Sequence, residues 1–259
     1  MTGKSLEDLR PKTIPEALPG IVLAALIVGT WLTIHVTAIF FTDWTRPGMW
    51  LIAIPVMALQ TWLSVGLFII AHDCMHGSFV PGHKAINDGI GRFLVAIYAG
   101  FSYGKLYDSH HEHHRYAGTE KDPDFDPDHP TQFWPWYLRF FRTYFAWREL
   151  AVLTLLVIAY ALILRERFPN ALLFWAIPAI LSSVQLFYFG TFRPHHIGSP
   201  SFPEDRHRAR SNDFPYWLSL ITCFHFGYHH EHHEKPAVPW WRLPVYRARL
   251  IELGEAPNH

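Results

Sequence analysis

Four stretches of the chain stay apolar over roughly the 20 residues that a membrane-crossing helix needs: 20–41, 48–71, 145–164 and 171–192. Tryptophans flank them (Trp44, Trp50, Trp147, Trp175), as at membrane–water interfaces. A fifth apolar segment, 89–103, would reach only about 22 Å as a helix, short of a hydrocarbon core of about 30 Å. It is expected to lie in the interface or to re-enter. Between and after these stretches the polar positions keep helical spacing. The pattern predicts an all-α integral membrane protein: one domain over 1–259, four transmembrane helices, the interfacial segment and a helical cap on one side.

Charge assigns the sides. Basic residues crowd the N-terminus (Lys4, Arg10, Lys12), the segment between the second and third spans (Lys84 to Arg148) and the part after the fourth (Arg193 to Arg249). The two opposite loops hold only Arg46, Arg165 and Arg167. By the positive-inside tendency both termini face the cytoplasm. Residues 1–19 carry charges and three prolines without an apolar core, so they are not expected to be a cleavable signal peptide. Overall the 22 basic and 22 acidic side chains cancel, which removes any electrostatic reason to bind nucleic acid. Cys74 and Cys223 are too few for a disulfide framework and read as reduced thiols.

Twelve of the 18 histidines fall into four tight groups, all on the cytoplasmic side of this topology. They are His72 and His76; His110, His111, His113 and His114; His195 and His196; and His229, His230, His232 and His233. Residues at i, i+3 and i+4 share a helix face. His72 and His76 therefore point together, His110, His113 and His114 form a second stripe, and His229, His232 and His233 a third. His111 and His230 are rotated about 100° away. One more imidazole comes from His195 or His196. Nine imidazoles are too many for one four-coordinate zinc and suit two octahedral-type metals that keep positions for oxygen or water. A zinc protease would need H-E-x-x-H, but Arg115 and Glu234 stand where the second histidine belongs. Bis-histidine haem would want single facing histidines in mid-membrane, and a transporter would want ionisable groups along its spans. A redox dimetal site of oxygenase type, with iron, remains.

Asp73, Asp108, Glu112 and Glu231 neighbour these histidines and are candidates to accept their second ring N–H. His35, alone in the first span, reads as a packing or hydrogen-bonding residue. His83, His129 and His259 read as surface, and His207 and His225 as either support for the site or plain structure. The segment Lys121 to His129 (KDPDFDPDH) reads as a turn-rich loop without the glycine and distal glutamate of an EF-hand. The stretch 244–253 reads as an amphipathic helix stopped by Gly254.

The three boxes HDxxHG at His72, HxxHH at His110 and HxxHH at His229 resemble those of the membrane fatty-acid desaturase and hydroxylase superfamily. More narrowly, HDCMHG from His72, FGTFRPH ending at His195, CFHFGYHHEHH from Cys223 and VPWWRLP from Val238 resemble the bacterial β-carotene ketolases. The similarity runs from the first span to Pro244. It implies His195, not His196, as the ninth ligand. It also implies a diiron enzyme that uses O2 and electrons from a carrier such as ferredoxin to oxidise C4 and C4′ of β-ionone rings. β-Carotene would pass through echinenone to canthaxanthin, and zeaxanthin toward astaxanthin. Phe93, Tyr98, Phe101 and Tyr103 are candidates for the wall of the substrate tunnel. The histidines alone would equally serve a carotene 3-hydroxylase or an acyl-chain desaturase or hydroxylase. A membrane metal carrier without catalysis is the competing reading of a different class.

Overall fold

The apolar stretches form helices, because backbone N–H and C=O groups in hydrocarbon must be satisfied within the segment itself. A computed structural model describes residues 9–196 and 207–254; Lys4, Arg206 and His259 lie outside the described residues. Among the described residues every regular element is helical. Helix α1 (Ile14–Val36) continues as a π-turn over Thr37–Phe41, and α2 spans Trp50–Met75. Then come α3 (Lys84–Ala99), α4 (Tyr103–Tyr116), α5 (Phe133–Tyr144) and α6 (Trp147–Leu164). After a 3-10 turn at Arg165–Arg167 the chain runs through α7 (Phe168–Ala171), a second π-turn (Leu172–Ala176), α8 (Ile177–Phe187), a third π-turn (Tyr188–Phe192) and α9 (Arg193–His195). Three helices finish it: α10 (Tyr216–Cys223), α11 (His229–Glu234) and α12 (Leu243–Leu253).

Three helical runs, not four, qualify as candidate membrane spans by length and composition: Ile14–Phe41, Trp50–Met75 and Trp147–His195. The last has 49 residues because the expected third and fourth stretches join without a helical break. It is nevertheless not straight. The rings of Tyr160 and Trp175 lie 5.2 Å apart, whereas a continuous helix would separate those residues by about 22 Å. The run reverses at Arg165, which adopts φ 52°. The turn packs beside the first loop: Arg167 donates to the Phe40 carbonyl, and Asn170 to those of Ile39 and Thr42. Both loops therefore sit at one end of the bundle, and the histidines at the other.

Two boundaries also differ from the sequence expectation. The first helix begins at Ile14, where Pro15 in its first turn supplies a preset φ. The segment 89–103 is divided between two helices by Gly100, which stops α3 in the left-handed conformation (φ 69°) before Ser102 caps α4. α3 buries Asn87, Gly91, Leu94, Val95 and Tyr98 along one stripe.

α2 is the central helix, packed against α1, α3 and α8. Its first turns expose Trp50, Leu51, Ile52 and Ile54, while from Gln60 onward the helix is largely buried. α6 exposes Leu155, Ile158, Leu162 and Ile163, an apolar face suited to lipid. His35 lies inside the bundle, hydrogen-bonded to the Tyr160 hydroxyl at 2.7 Å and stacked on Trp31 at 4.6 Å.

Candidate metal centre

Four helix ends deliver imidazoles to one buried place. His72 and His76 close α2, α4 carries His110, His113 and His114, α9 ends in His195, and α11 carries His229, His232 and His233. α11 reaches the place through a tight turn in which Phe224 and His225 both take positive φ (48° and 63°). The adjoining backbone is close-packed, since a Cβ on Gly227 would come within 2.6 Å of Asn212 Nδ2.

The nine imidazoles divide into two groups: His72, His76, His110, His114 and His232, and then His113, His195, His229 and His233. The division crosses the helices. α4 gives two ligand atoms to the first group and one to the second, and α11 does the reverse. The groups abut, with the rings of His114 and His233 4.3 Å apart.

His110 Nε2 lies 2.8 Å from His72 Nε2, 2.8 Å from His76 Nε2 and 3.1 Å from His114 Nε2. One ring nitrogen carries one proton or one lone pair, so it cannot hydrogen-bond three others. Lone pairs converging on a shared cation account for the cluster. In the second group the His113–His233 and His233–His229 separations are 3.1 and 3.0 Å. With metal–nitrogen bonds of about 2.1 Å, neighbouring ligands are about 3.0 Å apart on an octahedron and about 3.4 Å on a tetrahedron. The spacing fits octahedral-type metals. Burial and mutual repulsion push His76, His110, His114, His229, His232 and His233 well below the usual imidazole range. These rings are neutral and can ligate at ordinary pH.

Outer contacts fix some of the rings. His113 Nδ1 donates to Asp122 at 2.9 and 3.0 Å, and Asp122 also accepts the backbone N–H groups of Gly118 and Asp124, each at 2.8 Å. Burial works against a charged His113, but Asp122 and then Asp124 outweigh it and lift the group to about 9. Burial, against the pull of His113, raises Asp124 to about 6, and its carboxylate accepts the Tyr144 hydroxyl. His195 Nδ1 donates to the Arg208 carbonyl at 2.9 Å, leaving a buried Nε2 without a partner, directed into the second group. His196 instead donates to the Arg193 carbonyl and stacks on Phe192.

Of the four carboxylates singled out beside the boxes, none makes a hydrogen bond to a ligand imidazole. Asp108 and Glu112 are exposed on the far face of α4. Asp73 accepts the Trp240 N–H at 3.2 Å and stands 3.7 Å from His72 Nδ1, too far for a hydrogen bond. Glu231 accepts from Ser211 and pairs with Arg247 at 2.5 Å, which in turn reaches Asp213. The carboxylate that accepts a hydrogen bond from one of these imidazoles, Asp122, belongs with its neighbour Asp124 to the acidic loop that reads as mere turns. The only signal available in the sequence was its density of aspartates. Of the remaining histidines, His111 is exposed against Tyr107, His230 packs near His207, and His225 is stacked among Tyr216, Tyr228 and Trp240. His83 is exposed, and His129 is partly exposed beside Asp126.

A cleft opens onto both groups, touching His72, His110, His113 and His229. Its other walls are apolar and aromatic, among them Phe68, Phe101, Phe140, Phe141, Phe187 and Phe226. Tyr98 and Phe101 line it; Phe93 is exposed on α3, and Tyr103 is buried against Gly91.

The fatty acid desaturase family matches residues 47–150 and 128–259. A β-carotene ketolase of Paracoccus sp. (strain N81106 / MBIC 01143) is 49% identical over 88% of this chain and 92% of its own length. One of Paracoccus sp. (strain PC1) is 49% identical over 92% and 96%. A β-carotene 4-ketolase of Protosiphon botryoides is 34% identical over 95% and 68%.

Proposed function

The chain belongs to the fatty acid desaturase family, on its β-carotene ketolase branch, and from that premise we propose that it is an O2-dependent diiron oxygenase that puts keto groups on C4 and C4′ of β-ionone rings. β-Carotene passes through echinenone to canthaxanthin, and zeaxanthin is carried toward astaxanthin. The observation that carries the reading is the meeting of two imidazole groups with one apolar cleft. The nine imidazoles would hold two irons, with His72, His76, His110, His114 and His232 offered to one and His113, His195, His229 and His233 to the other. Iron bound there supplies the oxygen activation that an unreactive C–H bond requires.

The protein's own work is positional. Asp122 and the Arg208 carbonyl hold the Nδ1 protons of His113 and His195, so that their Nε2 atoms face inward; on His113 a bound metal would displace the Nε2 proton that Asp122 otherwise favours. The aromatic walls exclude water and position the ring. C4 is allylic, so its C–H bonds are weakened by the adjoining polyene. Two successive hydroxylations at that carbon give a geminal diol, which loses water to the ketone.

The reversed run Trp147–His195 supplies two passes, giving four spans in the bacterial cytoplasmic membrane with both termini and the irons on the cytoplasmic side. Substrate enters from the lipid. Electrons come from a soluble carrier such as ferredoxin, docked on the basic cytoplasmic surface, so its reduction rate should fall with salt.

Pigment analysis of cells that already make β-carotene, with and without this chain, tests the reading. Echinenone and canthaxanthin are expected. Absence of ketone beside well-expressed, iron-loaded protein would overturn it, whether a 3-hydroxylated ring, an altered acyl chain or no oxidation appeared instead.

A further inference from the structure

The imidazoles alone do not explain why C4 is oxidised and not C3. The two carbons are bonded neighbours, and along the long axis of the ring they differ in depth by about half a bond. An oxidant fixed by the same histidines could reach either, so something other than the ligands must set how far the ring travels.

Phe226 is placed to do so. Its ring centroid is 4.6 Å from that of His72 and 5.0 Å from that of His232 in the first group, and 4.9 Å from that of His229 in the second. It is 7% exposed and lines the cleft. An apolar ring thus stands where the cleft meets both groups, touching three ligands without offering a donor or acceptor. Gly190 lies behind it. It belongs to the π-turn Tyr188–Phe192, also lines the cleft, and packs so closely that a Cβ there would come 3.0 Å from Phe226 Cδ1 and 3.1 Å from Cε1. Such an approach is tighter than van der Waals contact. π-Turns are local insertions that recur at functional sites, and this one brings Gly190 and Thr191 to the cleft wall.

We propose that Phe226 is the seat on which the ionone ring comes to rest, and that the missing side chain at Gly190 sets the height of that seat, so that C4 and not C3 faces the irons. This rests on the ketolase reading. At either carbon the first step exchanges one hydrogen for hydroxyl. O2, two electrons and two protons enter, and the ring alcohol and one water leave, with the electrons drawn from the soluble one-electron carrier. Only the position of the carbon differs.

Gly190→Ala and Phe226→Leu test this in β-carotene-making cells, with the purified holoenzymes assayed for iron. One variant displaces the seat and the other lowers it. Both should retain two irons per chain, but only Gly190→Ala, which holds the ring back, should release rings hydroxylated at C3; Phe226→Leu lets the ring sink and should lose C4 oxidation without gaining C3. In Gly190→Ala the C3 share should rise at least about tenfold, on the scale by which a misplacement of about 1 Å alters a rate. Iron-loaded Gly190→Ala that still oxidises C4 alone, at any rate, or that oxidises no ring carbon, or iron-loaded Phe226→Leu that keeps the wild-type rate at C4, would overturn the proposal. Loss of iron from both would also overturn it, because Phe226 would then be propping the imidazoles. Wild-type chain that makes no ketone would sink the ketolase reading instead, before the variants are compared.

Discussion

Replacing Asp122 by Asn probes the outer support of the second histidine group with almost no change of shape. Both carboxylate oxygens are committed: the Gly118 N–H donates to Oδ2, the Asp124 N–H donates to Oδ1, and His113 Nδ1 spans the two at 3.0 and 2.9 Å. A carboxylate accepts all three. An amide offers one oxygen and one NH2, so at least one backbone N–H would face another donor in a buried place. His113 would also lose the acceptor that holds its proton on Nδ1. Losing such an outer partner costs about 10–100-fold in metal affinity, about 1.4–2.7 kcal/mol. The deficit should fall on the second group, because the ligands of the first touch neither Asp122 nor Asp124. Purified Asp122→Asn protein should therefore hold about one iron per chain under a chelator concentration at which wild type holds two. A chelator titration of iron against protein reads this without turnover. Equal retention of both irons across the titration would refute the argument that Asp122 supports the site.

Further outcomes follow from the same geometry. His232→Ala should lose iron from the first group and abolish ketone formation, while His111→Ala, on the exposed face of α4, should keep its iron. Equal loss in iron analysis would show that the face assignment is wrong. Arg247→Ala would leave Glu231, 0% exposed, without its cation, and should lower stability by about 3–5 kcal/mol; a thermal melt in detergent checks it, with Arg247→Lys recovering part. Gly66→Leu should disrupt the crossing of α1 and α2, since even a Cβ there would come 2.8 Å from Ile27 Cγ2 and 2.9 Å from Phe224 Cζ. A loss of at least about 1–3 kcal/mol is expected, read as a lower melting temperature.

What could be read in the chain alone follows from how local each feature is. The apolar stretches and the i, i+3, i+4 histidines are properties of single helices, so their faces could be inferred without a fold. The partition was hidden. On α4, His110 and His114 turn to one group and His113 to the other, a choice set by how α2, α4, α9 and α11 cross. Adjacency also misleads on a helix: Glu112 sits between His111 and His113, yet is rotated about 100° from each and faces out. Asp122 comes nine residues after His113 and reaches it only because the chain folds back past Gly118. The run Trp147–His195 kept its apolar pattern through Arg165–Arg167, so composition alone did not mark the reversal.

The cleft meets both imidazole groups in one place, but the carotene has a ring at each end. A molecule with one ring oxidised must withdraw, turn end for end in the lipid and enter again. The mono-ketone is therefore a free species of the bilayer between rounds, competing with unoxidised carotene for the same opening. The balance of mono- to diketone in a cell should then track the number of enzyme molecules per area of membrane more closely than the speed of any one of them.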